Sequence, residues 1–100
     1  MFTGSICKAA RAIVEVSRAK LAARTGIKQA MIERFERGID TPDQNTLHIL
    51  QADLEELGAV FIPEMGSNGA GVRRKFSASV TDQLRTMVDE GGPAASDAVP

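Results

Sequence analysis

The basic side chains of this sequence concentrate in its first 37 residues. The chain has 100 residues and a formal net charge of −1. Residues 1–37 hold eight basic and three acidic residues, a net charge of +5, whereas the remainder holds four basic and ten acidic residues, a net charge of −6. A basic segment attracts a polyanion such as nucleic acid, although solvated helix faces carry similar charges. The distribution therefore indicates an anionic partner for the first third without identifying it.

Residues suited to catalysis or metal binding are few and isolated. Cys7 is the single cysteine, and we interpret it as a small core residue on an apolar helix face. His48 lies beside a leucine stripe, and no Ser, Cys or Asp is placed to form a relay with it. The sequence shows no pair of catalytic carboxylates, no metal-ligand cluster and no phosphate-binding glycine loop. We therefore expect neither an enzyme nor a cofactor.

Hydropathy and the N-terminus bear on the compartment. No apolar run approaches the roughly 20 residues that a membrane span needs. Residues 1–5 lack the basic and apolar segments of a signal peptide. A single cysteine cannot form an internal disulfide. We therefore expect a cytoplasmic protein with no membrane partner.

Capping residues and helical spacing predict two helices and a turn in the first 27 residues. Thr3 caps a first helix that covers about residues 4–16. Ser17 caps a second helix over residues 18–24. Gly26 then permits a sharp turn, because glycine adopts left-handed backbone angles without steric cost.

Two more helices follow. The third covers about residues 28–36, where Met31, Ile32 and Phe35 recur at helical spacing, and Gly38 ends it. The fourth covers about residues 44–57 and carries a stripe of leucines. Residues 1–58 are thus predicted to form one α-helical domain.

The pattern changes after Gly58. Residues 59–62 and 72–76 are predicted to pair as a β-hairpin over 59–76, which packs on the helices or pairs with another chain, because an isolated hairpin is marginal in water. Residues 77–90 are predicted to form a short amphipathic helix, a possible dimer contact. Residues 91–100 have the composition of a disordered tail.

The sequence around the predicted turn resembles the Cro/C1-type, or XRE-type, family of helix-turn-helix regulators. The residues that carry the resemblance are Leu21-Ala22 in the second helix, Gly26-Ile27 in the turn, and Ile32 with Phe35-Glu36-Arg37-Gly38 in the third helix. The resemblance covers about residues 4–58. It implies a mainly α, four- to five-helix, lambda-repressor-like DNA-binding domain, here with a C-terminal β-hairpin.

The resemblance implies that the third helix is a recognition helix, lying in the major groove of double-stranded DNA with its N-terminal residues closest to the bases. Gln29 has the chemistry to pair with adenine N6 and N7, and Arg34 with guanine O6 and N7. Ala30 is small enough to approach a thymine methyl group, and Lys28 is positioned for a base or a phosphate. The alternative for each exposed polar residue is a role in solubility.

Other cations are candidates for the DNA backbone. Arg18 begins the second helix, where the family commonly has a phosphate-contacting Gln, and Arg there binds phosphate more strongly but less directionally. Lys8, Lys20 and Arg37 are further phosphate candidates, with solubility as the alternative.

The resemblance also implies a structural ion pair between Arg11 and Glu36, which ties the first helix to the end of the third. Two positions depart from the family pattern. Lys28 stands where Ser or Thr usually caps the recognition helix, and Lys20 stands where an acidic residue usually completes the capping box of Ser17. Each change weakens a cap by about 1 kcal/mol and adds positive charge toward the DNA side.

Two functions from different classes fit these patterns. The first is a sequence-specific DNA-binding transcriptional regulator, a repressor that binds a palindromic operator as a homodimer, since a monomer of this size reads only a few base pairs. The second is a protein-interaction module, antitoxin-like or anti-activator, that masks a protein partner through residues 59–90.

Overall fold

Residues 2–77 are described by a computed structural model of the chain. They form four helices followed by a two-stranded antiparallel sheet, which confirms the predicted mainly α fold with a C-terminal β-hairpin. The elements are α1 (Gly4–Val14), α2 (Arg18–Thr25), α3 (Gln29–Glu36), α4 (Gln44–Glu56), β1 (Ala59–Ile62) and β2 (Gly71–Arg74). The predicted helix over 77–90 and the predicted disordered tail over 91–100 lie outside the described residues, apart from Ser77.

Side-chain oxygens cap three of the four helices. The hydroxyl of Thr3 accepts a hydrogen bond from the backbone N–H of Ile6, and the hydroxyl of Ser17 accepts from that of Lys20, so both predicted caps are confirmed. Asp43 caps α4 in the same way. Lys28 stands at the cap position of α3 and makes no such bond, because an ammonium group has no acceptor atom.

In residues 2–77 the core consists of eight buried apolar residues drawn from all four helices and the first strand. Each helix places at least one of them inward at helical spacing, so its apolar face packs against the others. The eight are Cys7, Ala10, Leu21, Ile32, Phe35, Leu50, Leu54 and Ala59.

The hairpin is attached to the helices and is not a free appendage. Ala59 is buried in the core, and Phe61 packs edge-on against Phe2, with ring centroids 5.4 Å apart. Arg74 Nε donates a hydrogen bond of 3.0 Å to the carbonyl oxygen of Ile13 at the end of α1. The sequence left open whether the hairpin packs on the helices or pairs with another chain. In the structure it packs on the helices, chiefly on α1 and α4.

Gly4 lets α1 approach the last turn of α3. A Cβ atom at this position would lie 1.9 Å from the carbonyl oxygen of Phe35 and 2.9 Å from the Cα of Glu36. Both neighbours are backbone atoms of a helix, so neither can move aside without moving α3. The absence of a side chain at Gly4 therefore fixes how closely the first helix packs on the third.

Substitution Gly4→Ala is expected to destabilise the domain by about 1–3 kcal/mol or more, because overpacking forces a backbone shift. Gly69→Ala is the matched control, since a Cβ at Gly69 meets nothing within 4 Å, and it should change stability by less than about 0.5 kcal/mol. Thermal melts of both variants check this, and equal melting temperatures for the two would contradict the close packing.

Candidate nucleic-acid interface

The turn between α2 and α3 is closed by its own hydrogen bonds. Gly26 adopts a positive φ of 77°, and its N–H donates to the carbonyl of Ala22. The hydroxyl of Thr25 donates to the carbonyl of Leu21 at 2.8 Å and accepts from the N–H of Ile27 at 3.2 Å. This short, internally bonded turn sets the direction in which α3 leaves α2.

The first residues at the N-terminal end of α3 are exposed to solvent. Lys28, Gln29 and Ala30 are exposed there, and Arg34 is exposed one turn later. Ile32 and Phe35 on the opposite side are buried in the core. The helix therefore has one face fixed to the domain and one face free to meet a ligand, and the latter holds the four residues predicted to read bases.

The exposure of Met31 differs from what the sequence predicts. Its spacing with Ile32 and Phe35 grouped it with the inner residues, but 42% of its surface is exposed. The core-facing arc of this short helix is already filled by Ile32, Phe35 and the acidic Glu36, so Met31 falls at its margin.

Three lysines lie on the surface without an acidic partner. Lys8 on α1, Lys20 on α2 and Lys28 before α3 are all exposed. Within residues 2–77 none of them forms an ion pair. Their charges therefore remain available to an external anion.

The two arginines on the exposed side of α3 have acidic neighbours. Arg37 Nη1 lies 3.8 Å from Glu33 Oε2 one turn earlier, and both side chains are exposed. Arg34 donates through Nε to the carboxylate of Asp40 in the loop after α3. Exposed pairs of this kind contribute little to the free energy of folding, and Arg37 can leave its distant partner Glu33 at small cost.

Glu36, the last residue of α3, is the centre of a buried polar cluster. Its side chain is 1% exposed. Arg11 donates a hydrogen bond to each carboxylate oxygen, from Nε to Oε2 and from Nη2 to Oε1, each at 2.7 Å. The thiol of Cys7 donates to Oε2 at 3.3 Å. The cluster therefore joins α1 to the end of α3 at the atoms of one carboxylate.

Arg18 also belongs to this cluster. Its Nε and Nη2 each lie 3.2 Å from Glu36 Oε1, and its side chain is 27% exposed. The sequence assigned Arg18 to a DNA phosphate, whereas in the structure its guanidinium donates to the buried carboxylate of Glu36. Arg18 thereby connects the start of α2 to the same point.

Burial and hydrogen bonding have opposite effects on the pKa of Glu36. Burial alone raises the pKa of a carboxyl, but the hydrogen bonds from Arg11 and Cys7 outweigh it and hold the pKa of Glu36 below its ordinary value. Burial, with the nearby carboxylate, raises the pKa of the Cys7 thiol above its ordinary range. The cluster thus contains an ionised Glu36 and a neutral Cys7 that acts as a donor.

Sequence reasoning missed two members of this cluster. Cys7 and Arg11 stand four residues apart, so they share a helix face, and that spacing was the available signal for Cys7. Arg18 and Glu36 are 18 residues apart and meet only through the angle between α2 and α3. No local pattern encodes that contact.

Substitution Glu36→Ala should lower the free energy of unfolding by about 3 kcal/mol, because it leaves two arginines facing each other without their counter-charge. Glu33→Ala is the matched control on the same helix, where an exposed pair is lost at a cost below about 1 kcal/mol. Urea denaturation at neutral pH measures both. A loss no larger for Glu36→Ala than for Glu33→Ala would contradict the structural role of the cluster.

Lowering the pH should remove the contribution of Glu36 to the stability of the folded state. The unfolded chain binds the Glu36 proton near the ordinary pKa of about 4.3, whereas the folded chain binds it only at lower pH. The stabilisation is therefore fully present above that pH and is lost as the pH falls through the folded-state pKa. Urea denaturation from pH 7 to pH 3 should show a smaller loss of stability in Glu36→Gln than in the wild type, and equal losses would contradict this assignment.

Residues 2–77 were also compared with the requirements of a metal site and of a membrane-spanning helix, and they meet neither. In that range no three His, Cys, Asp or Glu residues are grouped closely enough to hold a metal ion. None of the described helices has the length and apolar content to cross a bilayer.

Comparison with known proteins agrees with this geometry. Residues 8–55 match the helix-turn-helix family, a span that begins on α1 and ends within the last turn of α4. No curated protein matches the chain. The family match identifies residues 8–55 as a helix-turn-helix domain of the Cro/C1-type, or XRE, family.

Proposed function

We propose that this protein is a sequence-specific transcriptional regulator that binds double-stranded DNA through α3. The observation that carries the proposal is the division of α3 into a face anchored by Ile32 and Phe35 and an exposed face that begins at Lys28. The major groove admits one α-helix, and the residues at its N-terminal end come closest to the bases.

The exposed residues of α3 have the chemistry of direct base reading. Gln29 matches the donor and acceptor pair of adenine, and Arg34 matches the two acceptors of guanine. Ala30 allows the helix to approach a thymine methyl group, and Lys28 reaches a base or a phosphate. These four side chains share the surface that the core leaves free.

Cations on the other helices supply the contacts to phosphate. Lys8 and Lys20 are exposed and without an ion pair in the described part of the chain, which supports this role for both. Arg37 joins them by releasing its distant pair with Glu33. Arg18 is paired with Glu36, so only the solvent-exposed part of its side chain is available to contact a phosphate.

The active form is proposed to be a homodimer on a palindromic operator. A single α3 reads only a few base pairs, whereas two copies read half-sites about one helical turn apart. Ile62, Met65 and Phe76 are exposed apolar residues on or beside the hairpin, which supports the hairpin as the contact between copies. The site of action is the cytoplasm, and occupancy of an operator by such a dimer represses by excluding other proteins.

Selection of bound duplexes from a random DNA pool by the full-length chain tests the function directly. The proposal requires an enriched palindromic motif with two half-sites. Absence of affinity for any duplex at low salt, together with tight binding of a protein partner, would instead support the protein-interaction module.

Variants of the exposed face should separate recognition of individual bases from the general electrostatic attraction to DNA. Arg34→Ala and Gln29→Ala are each expected to lose about 1–3 kcal/mol of discrimination at one base pair. Lys20→Ala should weaken binding to all sequences and lower the dependence of log affinity on log salt by about 1. These effects are measured by fluorescence anisotropy against the selected site and its single-base variants.

Arg73→Ala serves as the charge-matched control. Arg73 is exposed on β2, which packs on α1 at a distance from the exposed face of α3. Its removal should leave base discrimination unchanged. Discrimination that survives in Arg34→Ala and Gln29→Ala but falls in Arg73→Ala would place the reading surface on the hairpin.

A further inference from the structure

The loop after α3 brings a carboxylate to Arg34. Gly38 has a positive φ of 75°, and its N–H donates to the carbonyl of Phe35 at 3.0 Å. The N–H of Ile39 donates to the carbonyl of Arg34 at 2.9 Å. This pair of bonds is a Schellman helix end, which turns the chain back along the helix that it leaves. Asp40, the next residue, therefore lies beside the Arg34 side chain.

The contact between these two residues uses one defined edge of the guanidinium. Arg34 Nε donates to Asp40 Oδ2. This hydrogen bond is the main reason why the pKa of Asp40 lies below its ordinary value, so the carboxylate is ionised at neutral pH. Among residues 2–77, Nη1 and Nη2 of Arg34 have no hydrogen-bond partner. The ion pair therefore occupies Nε and leaves the terminal edge of the guanidinium open.

A guanine requires that kind of open edge. Its O6 and N7 are adjacent acceptors in the major groove and take two N–H donors from one arginine. A flexible arginine loses rotamer freedom when it forms this pair, and a contact that already holds the side chain reduces that loss. The Arg34 and Asp40 side chains are 53% and 56% exposed, so the pair stands in solvent, where a DNA groove can reach it.

Resting on the DNA-reading function above, we propose that Asp40 is a positioning residue that holds Arg34 by Nε, so that Nη1 and Nη2 bind O6 and N7 of a guanine.

The loss of the Asp40 charge has different effects on DNA binding in the two roles that Asp40 can have. A carboxylate near DNA repels phosphates, so its removal on electrostatic grounds alone raises the affinity for every sequence equally. A positioning residue acts differently, because its removal lowers the preference for guanine whatever happens to the overall affinity. The preference, expressed as a ratio of two affinities, therefore separates the two roles.

The experiment measures that ratio with an altered base. The full-length chain is titrated at constant ionic strength with its selected duplex and with duplexes that carry 7-deazaguanine, which lacks the N7 acceptor, at one guanine at a time. For the wild type we expect an affinity loss of about tenfold at one guanine in each half-site. The same replacement should make no difference to Arg34→Ala.

The variants at position 40 carry the test. In Asp40→Ala the loss caused by 7-deazaguanine should shrink to about threefold or less, because a mobile Arg34 gains less from N7. Asp40→Asn retains an oxygen that accepts from Nε and should restore most of the wild-type ratio. Glu64→Ala removes an exposed charge from the hairpin loop and should leave the ratio unchanged. Thermal melts establish that each variant is folded.

Three results would overturn the proposal. An unchanged ratio in Asp40→Ala, with affinity raised for all duplexes, would show that Asp40 only repels DNA. A wild type that binds its selected site but is insensitive to 7-deazaguanine at every guanine would show that Arg34 does not read N7, although the DNA-binding function stands. Failure of the wild type to select any duplex would remove both the function and this inference.

Discussion

A buried carboxylate that must stay ionised constrains the rest of this domain. Glu36 is almost fully covered, and such a charge is tolerated only when hydrogen-bond donors surround it. Its donors come from Cys7 and Arg11 on α1 and from Arg18 at the start of α2. Glu36 itself ends α3, so three helices are fixed relative to one another at a single group.

That constraint acts directly on the proposed reading surface. Helix α3 has only two turns and no side-chain cap at Lys28, so its own hydrogen bonds hold it weakly. Its position depends instead on Ile32 and Phe35 in the core, on Glu36 at its C-terminus, and on the glycine contact that seats α1 against its last turn. A helix held at its C-terminal end can project its N-terminal end outward, where Gln29 and Ala30 are exposed. The buried ionic cluster and the exposed face are thus opposite ends of one short helix.

Much of this arrangement follows from local sequence signals. Thr3 and Ser17 are cap residues whose role depends only on the backbone a few residues ahead, and the sequence predicts both. The turn at Gly26 and the hairpin after Gly58 are predictable for the same reason. The contacts that local patterns do not encode are those set by angles between helices, such as Arg18 with Glu36. The exposed position of Met31 belongs to the same class, because the width of the buried arc depends on how α1 and α2 approach α3.

The exposed N-terminal face of α3 is the surface proposed to meet DNA. Two-dimensional amide NMR of the ¹⁵N-labelled full-length chain, recorded as a cognate duplex is added, tests it most directly. The largest shift changes are expected on residues 28–34 and on the amides near Lys8 and Lys20. Changes confined to the hairpin, with residues 28–34 unaffected, would contradict this placement of the DNA-binding surface.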